Sequence, residues 1–217
     1  MAEGLRERKK RRTRQHIADT AARLFGERGY EQVAVVDVAE AADVSEQTVY
    51  NYFPTKQDLV FDLEEDLTQR LTELIRTRQP GVSPAAAIRD AALAFVDGIK
   101  AVPDDQARGG LDYLSAISPT VRRLSLELTD RLADAIAAAI TETTEGVDPE
   151  VGKVQGIALA WVIQTITDES GRRRVAGRRS IRIARELRPV IERIIDSLDE
   201  WLSSNTRSAQ PHRRVTG

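Results

Sequence analysis

Apolar residues recur along this chain at spacings of three and four, and this helical periodicity restricts the possible folds more than any other feature. In the first such segment the repeat is carried by Ile17, Ala21, Leu24 and Phe25, ahead of Gly29, a residue suited to a helix end. No segment shows the sustained alternation of apolar and polar residues that indicates a β-strand. The sequence therefore predicts an all-α protein.

Helix-breaking residues divide the pattern into segments. Ser45 is a suitable N-cap for a short third helix, which Pro54 ends, and a fourth helix is predicted to begin near Thr55 and to include Leu59 and Leu63. Pro80 to Pro84 forms the clearest break. Further helices are predicted over residues 85–102, 120–144, 150–169 and 181–202. We predict three regions: an amino-terminal helical domain over 1–60, a larger helical domain over 61–204 and a disordered tail over 205–217.

The residue content excludes several kinds of chemistry. The chain of 217 residues has no cysteine and two histidines, His16 in a charged segment and His212 in a polar tail. Disulfides, thiolate metal sites and cysteine nucleophiles are therefore excluded, and we predict neither a catalytic site nor a metal site. Carboxylate pairs such as Asp104 and Asp105 are the only sign of a helical enzyme, which is the less favoured alternative.

The first residues lack the apolar stretch of a secretory signal, and no run of about 18 apolar residues occurs. We therefore predict a cytoplasmic protein without a membrane partner. The net charge of -2 hides a local excess: residues 1–16 contain seven lysines and arginines against two glutamates, a local charge of +5. Such an arm can pair with phosphates whatever the total charge, because screening confines attraction to roughly 10 Å.

The third predicted helix has two chemically different faces. At about 100° per residue, Ser45 and Phe53 lie within about 40° of Val49 and are predicted to face inward. The opposite half carries Gln47, Thr48, Tyr50 and Asn51. Glutamine and asparagine can pair with adenine in the major groove, and hydroxyl groups can donate to phosphates. The alternative is a solvated helix face without a partner, against which the basic arm and Lys56 argue.

Residues 14 to 59 resemble the amino-terminal DNA-binding domain of TetR-type (tetracycline-repressor-like) transcriptional regulators, over about a fifth of the chain. The resemblance is carried by three spaced segments: Ile17 to Tyr30, Val36 to Ser45 and Thr48 to Leu59. It implies a three-helix helix-turn-helix unit followed by a helical domain that binds a small molecule and dimerises. The DNA-binding residues expected from the arm, the helix and the resemblance are Arg11, Arg12, Arg14, Val35, Ser45, Gln47, Thr48, Tyr50, Asn51, Tyr52 and Lys56.

The chain departs from the family pattern at three positions. Ala34-Val35 stands where the family usually has two hydroxyl residues, so the second helix is expected to lose its hydroxyl cap. Asp43 replaces the usual turn glycine and is expected to accept a positive φ, which aspartate tolerates better than most residues. Gln47 stands where a small residue is common, which bears on the DNA sequence that is bound.

Two wide apolar stripes in the second domain predict a homodimer. One helix is apolar nearly all round between Ile157 and Ile166, and a second stripe runs from Leu187 to Leu202. Two copies of this helix pair would cover both stripes; packing within one chain is the alternative. Pro189 is expected to kink the last helix or to mark its start. The predicted interface residues are Ile157, Trp161, Ile191, Ile195, Leu198 and Leu202.

The effector is expected to be a small molecule, and we predict no cofactor. An effector site needs apolar groups mixed with hydrogen-bonding groups, and the candidates are Phe95, Tyr113, Trp161, Gln164, Thr165 and Thr167. Five arginines lie between Gly171 and Ser180. We interpret this segment, 172–179, as a solvated loop, with anion binding as the alternative.

Together these patterns predict a homodimeric regulator, most often a repressor in this family, that binds a palindromic operator in double-stranded DNA and is released by a small-molecule effector. The fourth helix, Leu59 to Ile75, is the expected link between effector and recognition helix. A ligand-independent helix-turn-helix protein is the alternative.

Overall fold

The computed structural model describes residues 4–61 and 64–208, which form helices and turns without a strand. The all-α prediction is therefore confirmed. Within those ranges there are nine α-helices and one 3-10 helix: α1 (Leu5–Arg28), α2 (Val35–Ala41), α3 (Glu46–Tyr52), α4 (Glu64–Arg76), α5 (Pro84–Ile99), the 3-10 helix (Ala107–Gly109), α6 (Leu111–Ile117), α7 (Pro119–Thr143), α8 (Pro149–Val175) and α9 (Ser180–Ser208).

The larger apolar core lies between α4, α5, α7, α8 and α9. Its centre is made by fully buried side chains such as Ile88, Ile140, Ile166 and Ile191. Burying side chains of this size contributes roughly 1.5–3 kcal/mol each. This core holds the five longer helices of the second region together around one apolar centre.

A second core lies under the amino-terminal helices, and it does not end at residue 60. Ile17, Phe25 and Val49 are buried there, together with Leu114 of α6 and Val121 of α7. The amino-terminal unit therefore completes its core with side chains from the second region. A movement of α6 or of the start of α7 has a direct steric route to α1 and α3.

The fourth helix begins later than predicted. Residues 54–60 form turns, in which Asp58 caps Thr55 by accepting hydrogen bonds from its backbone N–H and its hydroxyl. Leu59 is buried without being helical. The predicted helical residue Leu63 lies outside the described residues, and α4 is described from Glu64.

The helices between α5 and α7 were missed. The predicted segment 85–102 ends at Ile99. No helix was predicted between residues 102 and 120, where Gly109 is the last residue of the 3-10 helix and Gly110 is the N-cap of α6. Helix α6 has only seven residues, but they suffice to place Leu114 in the core.

The predicted extent of the arginine-rich loop, residues 172–179, was wrong. Helix α8 passes through Gly171 and continues to Val175, so three of the five arginines are helical and the turn spans only residues 176–179. Gly171 is needed inside the helix because α6 approaches closely there: a side chain at this position would overlap the carbonyl oxygen of Asp112. Pro189 lies inside α9 and does not mark its start.

The predicted end of the last helix was also wrong, because α9 extends six residues past Leu202 to Ser208. The rest of the predicted disordered tail, 209–217, lies outside the described residues. None of the helices described is long and apolar enough to cross a membrane.

Candidate nucleic-acid interface

The turn between α2 and α3 has the strained backbone expected from the sequence. Asp43 has a φ of 53°, which confirms the predicted positive φ at this position. The turn is held by the backbone N–H of Val44, which donates to the carbonyl oxygen of Ala39 at 3.0 Å. Ser45 then caps α3 by accepting a hydrogen bond from the Thr48 backbone N–H at 3.1 Å. These bonds fix where α3 begins relative to α2.

Asp43→Gly should stabilise the protein, because glycine adopts a positive φ without the steric cost that a Cβ brings. We expect the free energy of unfolding to rise by about 0.5–1 kcal/mol, and we expect Asp43→Ala to lower it by a similar amount. Urea unfolding of both variants measures the difference. Equal stability of the glycine and alanine variants would contradict the strain at this position.

The faces of α3 lie as the periodicity predicted, with one exception. Val49 and Phe53 are buried, and Gln47, Tyr50 and Asn51 are exposed, with Tyr50 at 42%. The exception is Ser45, which was expected to face inward but is exposed. As the N-cap it precedes the helical residues, so the helical angle does not apply to it.

The exposed face of α3 carries paired amide groups. Gln47 Nε2 donates to Asn51 Oδ1 at 3.1 Å, one helical turn away. This bond orients both side chains but leaves the carbonyl of Gln47 and the amide nitrogen of Asn51 toward solvent. Thr48 is half-buried, and its hydroxyl lies 2.8 Å from that of Ser45. The face therefore presents donors and acceptors suited to base edges.

Arg14 fastens α1 to the end of α3. Its Nη1 donates to the carbonyl oxygen of Tyr52 at 2.7 Å, and its guanidinium carbon lies 4.5 Å from the centre of the Phe53 ring. Such a cation–π contact adds to the hydrogen bond. Arg14, which is predicted to contact DNA, therefore also holds α1 against the end of α3.

Lys56 is likewise engaged within the chain. Its Nζ donates to the carbonyl oxygen of Tyr30 at 2.5 Å and lies 4.2 Å from the centre of the Tyr30 ring. Burial lowers the pKa of Lys56, while nearby Glu31 and Asp37 act in the opposite direction. The lysine therefore connects the turn after α3 to the end of α1. From the sequence it is predicted to contact DNA.

The basic arm is helical, because α1 begins at Leu5. Arg11 and Arg12 lie exposed on it, about two turns before the buried part of the helix, and they can approach a phosphate backbone. Val35 and Tyr52, also predicted to contact DNA, are half-buried at the start of α2 and the end of α3. The backbone carbonyl oxygen of Tyr52 accepts the hydrogen bond from Arg14.

The start of α2 is capped by a residue that the sequence reasoning missed. No side chain caps the helix from Ala34, as expected, but the backbone N–H of Ala34 donates to the Asp37 carboxylate at 2.6 Å. Aspartate at the third helical position supplies this half of a capping box. His16 was also overlooked: its Nε2 lies 3.2 Å from the carbonyl oxygen of Ala42, so it joins α1 to the end of α2.

Two contacts join this unit to the second region. The hydroxyl of Ser118, between α6 and α7, donates to the carboxylate of Glu31, and this hydrogen bond is the main cause that lowers the pKa of Glu31. Gly109 of the 3-10 helix packs on Ala22 of α1, where any side chain would overlap the carbonyl oxygen of Ala22. Two residues 87 positions apart thus meet just after the end of α1.

The six effector candidates are dispersed. Phe95 and Trp161 are exposed on α5 and α8, at 39% and 42%. Gln164 is buried between α7 and α8, where its Oε1 accepts hydrogen bonds from Ser125 at 3.0 Å and Thr129 at 2.7 Å. The hydroxyls of Thr165 and Thr167 bond to carbonyls of their own helix. Tyr113 lines a small groove beside the 3-10 helix.

The dimer candidates divide into two groups. Ile157 and Trp161 are exposed on α8, as an interface requires, and Leu198 is half-buried. Ile191, Ile195 and Leu202 are buried in the chain's own core, so their assignment to an interface was wrong. Relative to the predicted interface residues, the accessible face of α9 is shifted by about one residue. A groove of about 370 Å³ on this face is lined by Val190, Arg193, Ile194, Ser197, Leu198 and Trp201.

Comparisons with known proteins agree with this arrangement. Residues 17–63 match the model of the bacterial regulatory proteins of the tetR family. The transcriptional regulator TcmR of Streptomyces glaucescens is 29% identical over 187 residues, covering 76% of this chain and 80% of that protein. The regulator AcrR of Shigella flexneri is 26% identical over 141 residues, covering 59% and 64%.

Solved structures show the same fold. Native NalD, described as the secondary repressor of the MexAB-OprM multidrug efflux pump in Pseudomonas aeruginosa, superposes with a TM-score of 0.55 at 20% identity and covers 84% of this chain and 96% of that one. The curated relatives are regulators rather than enzymes. No group of three acidic or histidine side chains suited to a metal ion occurs among the described residues. Residues 17–63 are therefore similar to the tetR family of bacterial regulatory proteins, the longer match is similar to a transcriptional regulator, and the chain shares the fold of NalD.

Proposed function

We propose that this DNA-binding regulator is a homodimeric repressor that binds a palindromic operator and releases it when a small molecule binds the second region. The observation that carries the proposal is the exposed amide and hydroxyl face of α3. That face stands on a helix whose orientation is fixed by Arg14, by the Ser45 cap and by the bonded turn at Asp43. A rigid polar helix of this kind suits the major groove.

Homodimerisation is supported by exposed apolar side chains on α8 and by an apolar groove on α9. Val154, Ile157 and Trp161 are 53%, 40% and 42% exposed and lie on one side of α8. On α9 the groove from Val190 to Trp201 is also apolar and open. Exposed apolar surface of this extent usually marks an interface. Two copies related by a twofold axis would cover it and would set the two α3 helices on half-sites about 34 Å apart or a multiple of that.

The repressor role is supported by the description of NalD, whose fold this chain shares. Release by a ligand requires a link from the second region to α3. The packing of the 3-10 helix on α1 and the hydrogen bond between Ser118 and Glu31 supply it. A ligand that binds one arrangement of these contacts better than the other shifts the population toward that arrangement.

Salt dependence tests the DNA-binding part. The chain should bind the DNA upstream of its own gene with an affinity that falls as salt rises, at a slope of about -0.9 per neutralised phosphate in a double-logarithmic plot. Arg11→Gln with Arg12→Gln should reduce that slope by about 2 if each contacts one phosphate. Fluorescence anisotropy from 50 to 200 mM salt measures it. An affinity that does not change with salt would overturn the proposal.

A ligand-independent DNA-binding protein is the second candidate, and the dispersal of the six effector candidates favours it. Thermal unfolding against a panel of metabolites separates the two. A ligand that binds only the folded chain raises the unfolding temperature. A panel without any such compound would favour the ligand-independent protein.

A further inference from the structure

A groove of about 190 Å³ lies where the 3-10 helix, α6 and the turn between α8 and α9 meet. Four guanidinium groups line it, from Arg108, Arg174, Arg178 and Arg179, against the single lining carboxylate of Asp104. The groove therefore has an excess of positive charge. It also has the phenol of Tyr113 on one wall as a further hydrogen-bonding group.

Two of the four arginines are neutralised within the chain. Arg174, of whose side chain 6% is exposed, donates from Nε to Asp112 at 2.6 Å and from Nη1 to Ser180 at 2.8 Å. Arg179 donates to Asp104 at 3.2 Å, and the backbone N–H of Ser180 donates to the same carboxylate at 2.7 Å. These bonds engage the carboxylates of Asp112 and Asp104 with Arg174, Arg179 and Ser180.

Arg108 and Arg178 differ from that pair. Among residues 4–61 and 64–208, no carboxylate forms an ion pair with either of them within 4.0 Å. The pKa of Glu186 is lowered mainly by a hydrogen bond from Arg182, and the charge of Arg178 lowers it less. The groove thus contains two guanidinium groups whose donors are available, which is the arrangement that binds an oxyanion in bidentate fashion.

We propose that this groove is a binding site for a small oxyanion, the phosphate or carboxylate group of a metabolite, held by Arg108 and Arg178. The volume is below the roughly 300 Å³ of a site for drug-sized ligands, so it fits the anionic group rather than a large apolar body. The predicted loop with five arginines thus has a binding role, though through the turn and the 3-10 helix rather than through a long loop.

The site has a direct route to the DNA-binding unit, and this second step rests on the proposed function. The backbone of Arg108 packs on Gly26 of α1, and the next residue packs on Ala22. An anion that draws Arg108 toward Arg178 therefore acts on the contact between the 3-10 helix and α1. Helix α1 is in turn connected to the end of α3 by Arg14. Gly26 is about 18 Å along α1 from Arg14, so the groove is set apart from the recognition helix.

Calorimetric titration of the full chain with sodium phosphate and with sodium succinate, at constant ionic strength, tests the site without DNA. We expect saturable binding at one site per chain. Arg108→Gln with Arg178→Gln should weaken it at least about 10-fold. Arg70→Gln with Arg185→Gln, which removes two charges at exposed positions away from the groove, is the matched control. Absence of saturable binding for both anions, or equal loss in both double variants, would overturn the proposal.

A DNA-binding experiment distinguishes anion binding in the groove from its transmission to α1. Phosphate at constant ionic strength should change the affinity of the chain for the DNA upstream of its gene, and this change should be lost in the Arg108→Gln, Arg178→Gln variant. Anion binding without any change in DNA affinity would overturn the transmission to α1 but leave the site. Loss of DNA affinity in the variant, without anion binding to the original chain, would show that these arginines contact DNA and would overturn the site. Failure to bind DNA at all would overturn the proposed function, while the calorimetric result stands.

Discussion

Trp161→Arg should convert the proposed homodimer into monomers. In a twofold interface the same residue contributes from both copies, so one substitution places two guanidinium groups in an apolar contact. A buried charge without a partner costs about 3–5 kcal/mol, which corresponds to a loss of dimer affinity of about 150-fold or more. Light scattering coupled to size-exclusion chromatography at micromolar concentration measures the molecular mass.

Phe95→Arg is the matched control for this experiment. Phe95 is as exposed as Trp161, at 39% against 42%, but it lies on α5, outside the proposed interface. The control should remain dimeric. The monomeric Trp161→Arg variant should also lose affinity for a two-half-site operator by about 100-fold or more, because the second half-site is no longer held at high effective concentration. A Trp161→Arg variant that stays dimeric would show that α8 does not form the interface.

Gln47→Ala with Asn51→Ala should abolish the preference for operator over unrelated DNA. Each amide that pairs with a base edge contributes about 1–3 kcal/mol of discrimination, so removing both should lower operator affinity by about 30-fold or more. Affinity for unrelated DNA should change little, because phosphate contacts supply it. Competition binding with operator and random duplexes measures both quantities.

Gln69→Ala is the matched control for the amide substitutions, because Gln69 is an exposed amide on α4. Its operator affinity should equal that of the original chain. The circular dichroism of the double variant should also be unchanged, because the bond between Gln47 and Asn51 is exposed and contributes little to stability. Retained discrimination in the folded double variant would show that another surface reads the operator.

The helix-turn-helix unit was the part that local signals specified best. The cap at Ser45, the stop at Pro54 and the positive φ at Asp43 each depend on one or two neighbouring residues, and the structure has all three. Local geometry of this kind is encoded within a few positions. The contacts of Arg14 and Lys56 within the chain were not predicted, because their partners Tyr52 and Tyr30 lie 38 and 26 positions away.

The two apolar sides of α9 show a different limit of periodicity. Ile191 and Ile195 alternate with Val190 and Ile194 around a helix with apolar residues on more than one side. Periodicity gives the angle between side chains but not which side meets the core when both sides are apolar. Only the packing of α9 on α5 and α8 decided that Ile191 and Ile195 are fully buried and that Val190 and Ile194 are half-buried and line the groove on α9.

By itself the sequence determined that this protein is all-α, that it lacks cysteine chemistry and that its third helix presents a hydrogen-bonding face. These properties follow from composition and from spacings of three to four residues. The tertiary structure alone decided that Arg108 and Arg178 share one groove, that α1 rests on the 3-10 helix and that Leu114 completes the amino-terminal core. Each of these depends on segments far apart in the chain, which only the packing of helices brings together.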